Sequence, residues 1–395
     1  VSDIRVIQRP RPTAIRAAGL FDGQSFRQAS VVILDGPLIA SVGTGEYIPE
    51  YADPLDLGPV TLLPGLIDTH THLAFDAGAD PVGTLAARTD AEVVVAMRRA
   101  GHAALAGGVT TLRDLGDLDY LSLQLRGSRG FPTLVAAGPP ITSVAGHCHF
   151  LGGTASPGEQ SLRAAVREHA DHGVDVIKIM ATGGNLTPGS RQESAQFSAA
   201  EIRAAVDEAH RAGLPVTAHA HGTPGIANAI TAGVDGMEHV SFWSATGVDE
   251  PGDFIHRIIS QRIVVGATVG IRPVEGLRPP DAVLRRLPFI EANLRRMYEA
   301  GAVLAAGTDG GIAPTKPHDV VRYALPQLMD AGMGAAEALQ MITSAAAATC
   351  GLSTSKGRIE AGYDADLLAV RGNPLEDPAS IHDIAAVFSR GTRVC

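Results

Sequence analysis

Cysteine is nearly absent from the chain. Only Cys148, Cys350 and Cys395 occur in 395 residues, and their spacing suits neither a disulfide framework nor a cysteine-based zinc site. A reducing, cytoplasmic setting is the expectation. No apolar run is long enough to span a bilayer, so no membrane partner is expected. The opening residues VSDIRVIQRP lack the pattern of a secretory leader. Positive charge is in deficit: 32 Lys and Arg stand against 42 Asp and Glu, a net charge of −10. A general nucleic-acid binder needs a basic face to displace counterions, so that class is disfavoured. A small-molecule substrate and a homo-oligomeric state are the partners expected.

Glycine and proline, by contrast, are plentiful, with 45 and 25 residues. They are spread along the chain and read as turns between many short elements. The length allows more than one domain. Residues 13–62 alternate short β-type segments with turns and show no long helical period. The tail from Lys356 onward has the same texture. The two ends are therefore expected to build one small β-sandwich, from residues 1–61 and 354–395.

A different rhythm fills residues 62–353. Apolar strand-like runs alternate with alanine-rich amphipathic helices. The runs are 62–72, 108–116, 133–141, 174–184, 214–222, 234–240, 263–270 and 302–311. The clearest helix is 198–213, where Ser198 and Glu201 form a capping box and Gly213 supplies the stop. Near-continuous apolar strands between helices imply a parallel sheet covered on both faces. Eight such units predict an α/β fold of (β/α)8 TIM-barrel type, in a span near the ~250 residues usual for it.

The active site of such a barrel lies at the C-terminal ends of its strands. Polar residues there are His70 and His72, Lys178, His219 and His221, His239, and Asp309. Side chains at i and i+2 share one side of a strand, so His70 and His72 can grip one ion. Lys178 lies in the apolar strand VDVIKIM. Burial would lower its pKa, and a neutral amine beside two metal ions can add CO2 to become a bridging carbamate. Asp309 can ligate a metal and carry a proton from attacking water to the leaving group. His219 and His221 are same-faced, and spacing does not choose between them.

The stretches PGLIDTHTHL, VIKIMATGG, TAHAHG, MEHV and GTDGG, with the tail KGRIEAGYDADLLAV, resemble the amidohydrolase superfamily. They are most similar to its imidazolonepropionase-like and Xaa-Pro dipeptidase-like branch, which includes metal-dependent carboxypeptidases and ochratoxin-type amidases. The resemblance covers roughly residues 13–388. It implies that His70, His72 and Asp309 hold one divalent ion, with zinc the first choice. His219 and His239 would hold a second, and a carboxylated Lys178 would bridge the two. A hydroxide between the ions would be the nucleophile. The family pattern makes His219 the ligand and leaves His221 to touch substrate or steady the oxyanion. His147, in the loop GHCHFLGG, resembles a substrate-contacting loop histidine; His149 beside it could at most join a third metal site.

Other polar residues read as structural. Arg113 and Asp114 are expected to pair with each other at the rim. His102, His169, His172 and His210 fall on helices and are expected to face solvent. Arg191 and Arg272, in the loops after the fourth and seventh strands, are the cations available to clamp a substrate carboxylate.

The expected activity is binuclear hydrolysis of an amide, in a dipeptide or an N-acyl amino acid, with Asp309 as general base. The same site would serve a lactone, ester, carbamate or organophosphate. A mononuclear deaminase or imidazolone ring hydrolase fits less well, because Lys178 implies two metals. A non-catalytic scaffold would be expected to have lost ligands, and all six positions are filled.

Overall fold

The computed structural model describes residues 11–45 and 47–394. Residues 1–10, with the absence of a leader read from them, and Cys395 lie outside the described residues. So do the corresponding outer ends of the terminal domain.

All eight apolar runs contain strands. They are Leu66–Thr71, Val109–Asp114, Thr133–Ala136, Ile177–Met180, Val216–Gly222, Gly236–Trp243, Val264–Thr268 and Leu304–Gly307, numbered here first to eighth. The first three pair in parallel, as do the last five. Two bridges join these groups. Ile141, beyond the third strand, accepts from Met180 N–H and donates to Lys178 C=O, both at 2.8 Å. Thr71 bridges Gly310, whose carbonyl accepts from His72 N–H at 2.8 Å. The result is a closed parallel barrel. Every residue of the first, second and fourth strands is buried, as strands covered on both faces should be.

The helix over 198–213 forms as its sequence requires. It runs Ala199–Arg211, and Ser198 Oγ accepts from Glu201 N–H while Glu201 Oε2 accepts from Ser198 N–H. Two otherwise unsatisfied donors are thereby satisfied. Ile202, Ala205, Val206 and Ala209 form its buried stripe, at the spacing of one helical face.

The two chain ends hydrogen-bond into one eight-stranded sheet among the described residues. Val60–Pro64 lies at its centre, between Thr13–Phe21 and Leu367–Arg371. The sheet packs around its own apolar core, which includes Ile15, Leu20, Val32, Leu62, Leu367 and Phe388. The sequence neighbours Phe21, Leu63, Leu368 and Val387, next to Leu20, Leu62, Leu367 and Phe388, join the barrel core instead. This is the period-2 alternation of a strand used on both faces. Residues 62–64, grouped with the barrel from sequence, pair with Leu367–Ala369. The chain leaves the sheet at Gly65, whose N–H still donates to Asp366 C=O. Among the described residues no helix is long and apolar enough to cross a membrane.

Candidate metal centre

Two clusters form where the strands end. In the first, His72 Nε2 lies 3.0 Å and His70 Nε2 3.5 Å from Asp309 Oδ1. The eighth strand is locked to the first here: Asp309 N–H donates to His70 C=O at 2.7 Å. Buried Asp68 accepts from Thr308 N–H and Oγ–H. In the second cluster, His219 Nδ1 lies 3.0 Å from His239 Nε2. The His221 ring stacks on that of His239 with centroids 4.1 Å apart. Each cluster offers three ligand atoms within 4.8 Å of one another. The clusters adjoin, since the His70 and His239 rings are 5.1 Å apart. His239 and Asp309 both hold left-handed backbone, at φ 72° and 61°. That conformation costs a non-glycine residue about 1–2 kcal/mol and collects at functional sites.

Lys178 is fully buried, and its Nζ has no hydrogen-bond partner among the described residues. Burial pushes its amine down from 10.5 to about 8. Burial also pushes His70 down to about 4 and His221 to about 3, and takes His219 and His239 well below the usual range. For Asp309 burial acts upward, but the His72 hydrogen bond and the neighbouring imidazoles hold the carboxyl well below its usual value. His72 differs, because burial acts downward but the Asp309 hydrogen bond and charge push its imidazole up. Imidazoles beside an ionised carboxylate are donors that divalent ions of the zinc kind take. The residues therefore fit two such ions.

His147 stands beside this set. Its ring is 4.8 Å from that of His219, and its buried Nδ1 has no partner among the described residues. A Cβ on Gly184 would come within 2.3 Å of His147 Nε2, so the loop needs glycine there. His149 belongs to neither cluster, and its Nδ1 lies 3.0 Å from Gly146 C=O. Arg191 is 65% exposed and paired with Glu193 at 2.8 Å. Arg272 is half-buried in the loop after the seventh strand, with its N–H donating to Thr315 C=O. Among the described residues no ion pair or hydrogen bond links either guanidinium to the clusters.

Two sequence expectations need correction. Arg113 does not pair with Asp114, because adjacent strand residues point to opposite sides. Its Nη2 donates to Glu238 at 2.8 Å and its Nε to Thr69 C=O at 2.6 Å. Asp114 is buried with Oδ2 unpartnered, and burial and Asp117 push it up to about 7. His169 is not solvent-facing. It is buried, with Nε2 2.7 Å from Pro139 C=O and Nδ1 3.1 Å from the Tyr120 hydroxyl. His102, His172 and His210 are exposed as expected.

Three residues escaped the sequence reading. Glu238 precedes His239 and is a charge in an apolar strand, the signal that singled out Lys178. Lys316 and His318 lie in the loop after the eighth strand. Lys316 Nζ donates to Thr308 C=O, and His318 Nε2 lies 3.1 Å from His72 C=O. A cavity of about 1000 Å³ lies away from the clusters. It opens at the other end of the barrel, between the strand starts and Ala348–Leu352, and reaches Arg113 and Glu238. Among the described residues the three-donor groups lie at the clusters, not in this cavity.

Residues 61–394 match the profile of the Amidohydrolase family. The chain is 30% identical to an ochratoxinase of Aspergillus niger over 400 residues, covering 90% of this chain and 80% of that one. It is 28% identical to an imidazolonepropionase of Caulobacter vibrioides over 390 residues, covering 87% and 88%. Among solved structures, a Xaa-Pro dipeptidase with methionine bound in its active site superposes with a TM-score of 0.83. It shares 27% identity, with 97% of this chain and 99% of that one covered.

Proposed function

This chain belongs to the amidohydrolase family, and from that premise we propose that it is a binuclear, metal-dependent hydrolase of an amide bond. The substrate is a dipeptide or an N-acyl amino acid. The observation that carries this reading is the convergence of two three-donor clusters beside a buried, unpartnered lysine at the loop end of a barrel.

His70, His72 and Asp309 would hold one ion, and His219 and His239 the other. Lys178 would join them once its neutral Nζ had added to the carbon of CO2 and released a proton. That carbamate is an anion with two oxygens to share. Bound divalent ions supply Lewis acidity and make water acidic enough to ionise near neutral pH. The protein does the rest. Asp309, held ionised by its imidazole neighbours, accepts the proton of the attacking water and returns it to the leaving nitrogen. His221 and His147, kept neutral by burial, both lie beside His219, and in this reading a protonated ring nitrogen of one would donate to the scissile oxygen as it gains charge. Arg191 is engaged by Glu193, which leaves Arg272 as the cation for a substrate carboxylate. The likeness to a dipeptidase that binds methionine supports an amino acid as one product.

The test is a hydrolysis panel on zinc-loaded protein: dipeptides, N-acyl amino acids, lactones and phosphotriesters. The amides are expected to exceed the other classes at least tenfold in kcat/KM. Turnover of lactones or phosphotriesters alone would overturn the assignment.

A further inference from the structure

The imidazoles of the two clusters are anchored by their far nitrogens, with one exception. His72 Nδ1 lies 3.1 Å from Gly116 C=O, and His219 Nε2 3.0 Å from Gly183 C=O. His239 Nδ1 lies 2.7 Å from Thr268 Oγ1, and His221 Nδ1 2.8 Å from Ser241 Oγ. His70 Nδ1 meets only Glu238 Oε2, at 3.2 Å. Both atoms are buried without a hydrogen bond of good geometry among the described residues, so this close contact is what each has, and a small turn of either group completes the bond.

The surroundings of Glu238 are built to hold it there. The side chain is 1% exposed. Its Oε1 accepts from Arg113 Nη2 and from Thr217 Oγ1, each at 2.8 Å. Four strands contribute to this arrangement: the first through His70, the second through Arg113, the fifth through Thr217 and the sixth through Glu238. The seventh makes room. A Cβ on Gly266 would stand 2.0 Å from Glu238 Oε2, a distance real atoms do not tolerate. Only glycine admits the carboxylate. Arg113 compensates its charge, so the burial does not leave an isolated anion.

We propose that Glu238 is the positioning residue for His70. Its Oε2 accepts a hydrogen bond from His70 Nδ1–H. That fixes the tautomer whose bare Nε2 faces Asp309, and it stops the ring from turning. Carboxylates that orient metal-bound histidines in this way raise metal affinity by about 10–100-fold. The inference rests on the reading that His70 is a metal ligand, and its test separates the two.

Glu238→Gln keeps the volume. Arg113 and Thr217 claim the amide oxygen, so the amide nitrogen turns to His70 and donates to Nδ1. Two measurements follow on the full chain. Nitrogen-15 NMR of the metal-free protein should show His70 protonated on Nδ1 in the wild type and on Nε2 in Glu238→Gln. Chelator competition on zinc-loaded protein should show one ion bound about 10–100-fold more weakly in the variant, the other unchanged. A variant with wild-type tautomer and wild-type affinities overturns the proposal, whatever its melting temperature. If Glu238→Gln does not fold, Thr217→Val serves: a several-fold loss at the same single ion supports the proposal, and wild-type affinity overturns it. Wild-type protein that takes up no zinc defeats the metal reading instead. The tautomer of His70 then decides the positioning role by itself.

Discussion

Protonation is the residue-scale determinant of this centre. In metal-free protein His70 titrates near 4 and His221 near 3, against 6.5 for an ordinary histidine. As pH falls through 6.5 the unfolded chain takes up protons first. Their contribution to stability is therefore full above about pH 6.5 and is lost as pH drops toward 4, while buried Asp114, pushed up to about 7, acts in the opposite sense. The Tm of metal-free wild type should therefore fall more steeply, or rise less, over that window than that of His221→Asn. Equal slopes would refute the assignment. Lys178 moves the other way in usefulness. Its neutral fraction grows as pH rises through about 8, so recovery of metal-free protein held at a constant CO2 pressure should accelerate between pH 7 and 9. Lys178→Ala should fail to retain two ions per chain by elemental analysis; near-normal occupancy would exclude the bridge. The six candidate ligands stand out in the sequence because each is a polar side chain within or just beyond an apolar strand-like run. The role of Glu238 was not legible. Its meaning comes from Arg113, 125 residues away, and from a gap at Gly266, and neither shows in a linear pattern.

Elements were legible where one local signal sufficed. The helix Ala199–Arg211 carries its start in Ser198 and Glu201 and its face in the apolar spacing. Ser198→Ala should cost about 1 kcal/mol in urea unfolding, with kcat unchanged, because the cap lies outside both clusters. A loss below a few tenths would mean that tertiary packing alone sets this helix end. The strands were found by their apolar runs, but their edges were not. Leu62, Leu63 and Leu66 look alike in sequence, yet the first two pair in the terminal sheet and the third begins the barrel. Only Gly65, donating to Asp366 C=O across some 300 residues, marks the change.

At the scale of the whole molecule, the terminal sheet and the barrel share apolar packing. Phe21, Leu63, Leu368 and Val387 are buried in the same cluster as Val109, Met97 and Phe131. Leu368→Ala should therefore cost about 2–5 kcal/mol and weaken both parts together. Unfolding followed by the emission of Trp243, the only tryptophan, should coincide with unfolding followed by far-UV circular dichroism. Two separated transitions would show that the sheet folds independently. The sharing was hidden in sequence because parity along a strand says that two faces are used, not what lies against each.

The large hollow at the strand starts has a practical side. Most barrels of this kind stack aliphatic layers along their axis, whereas here an ion pair stands behind the catalytic end and the space beyond it is left unfilled. At its exposed mouth heat resistance can be added without replacing Arg113 or Glu238, which line its floor. Ala348, exposed at its mouth, is a natural first site: a leucine there would cover apolar wall and add about 0.5–2 kcal/mol, as filled voids commonly do.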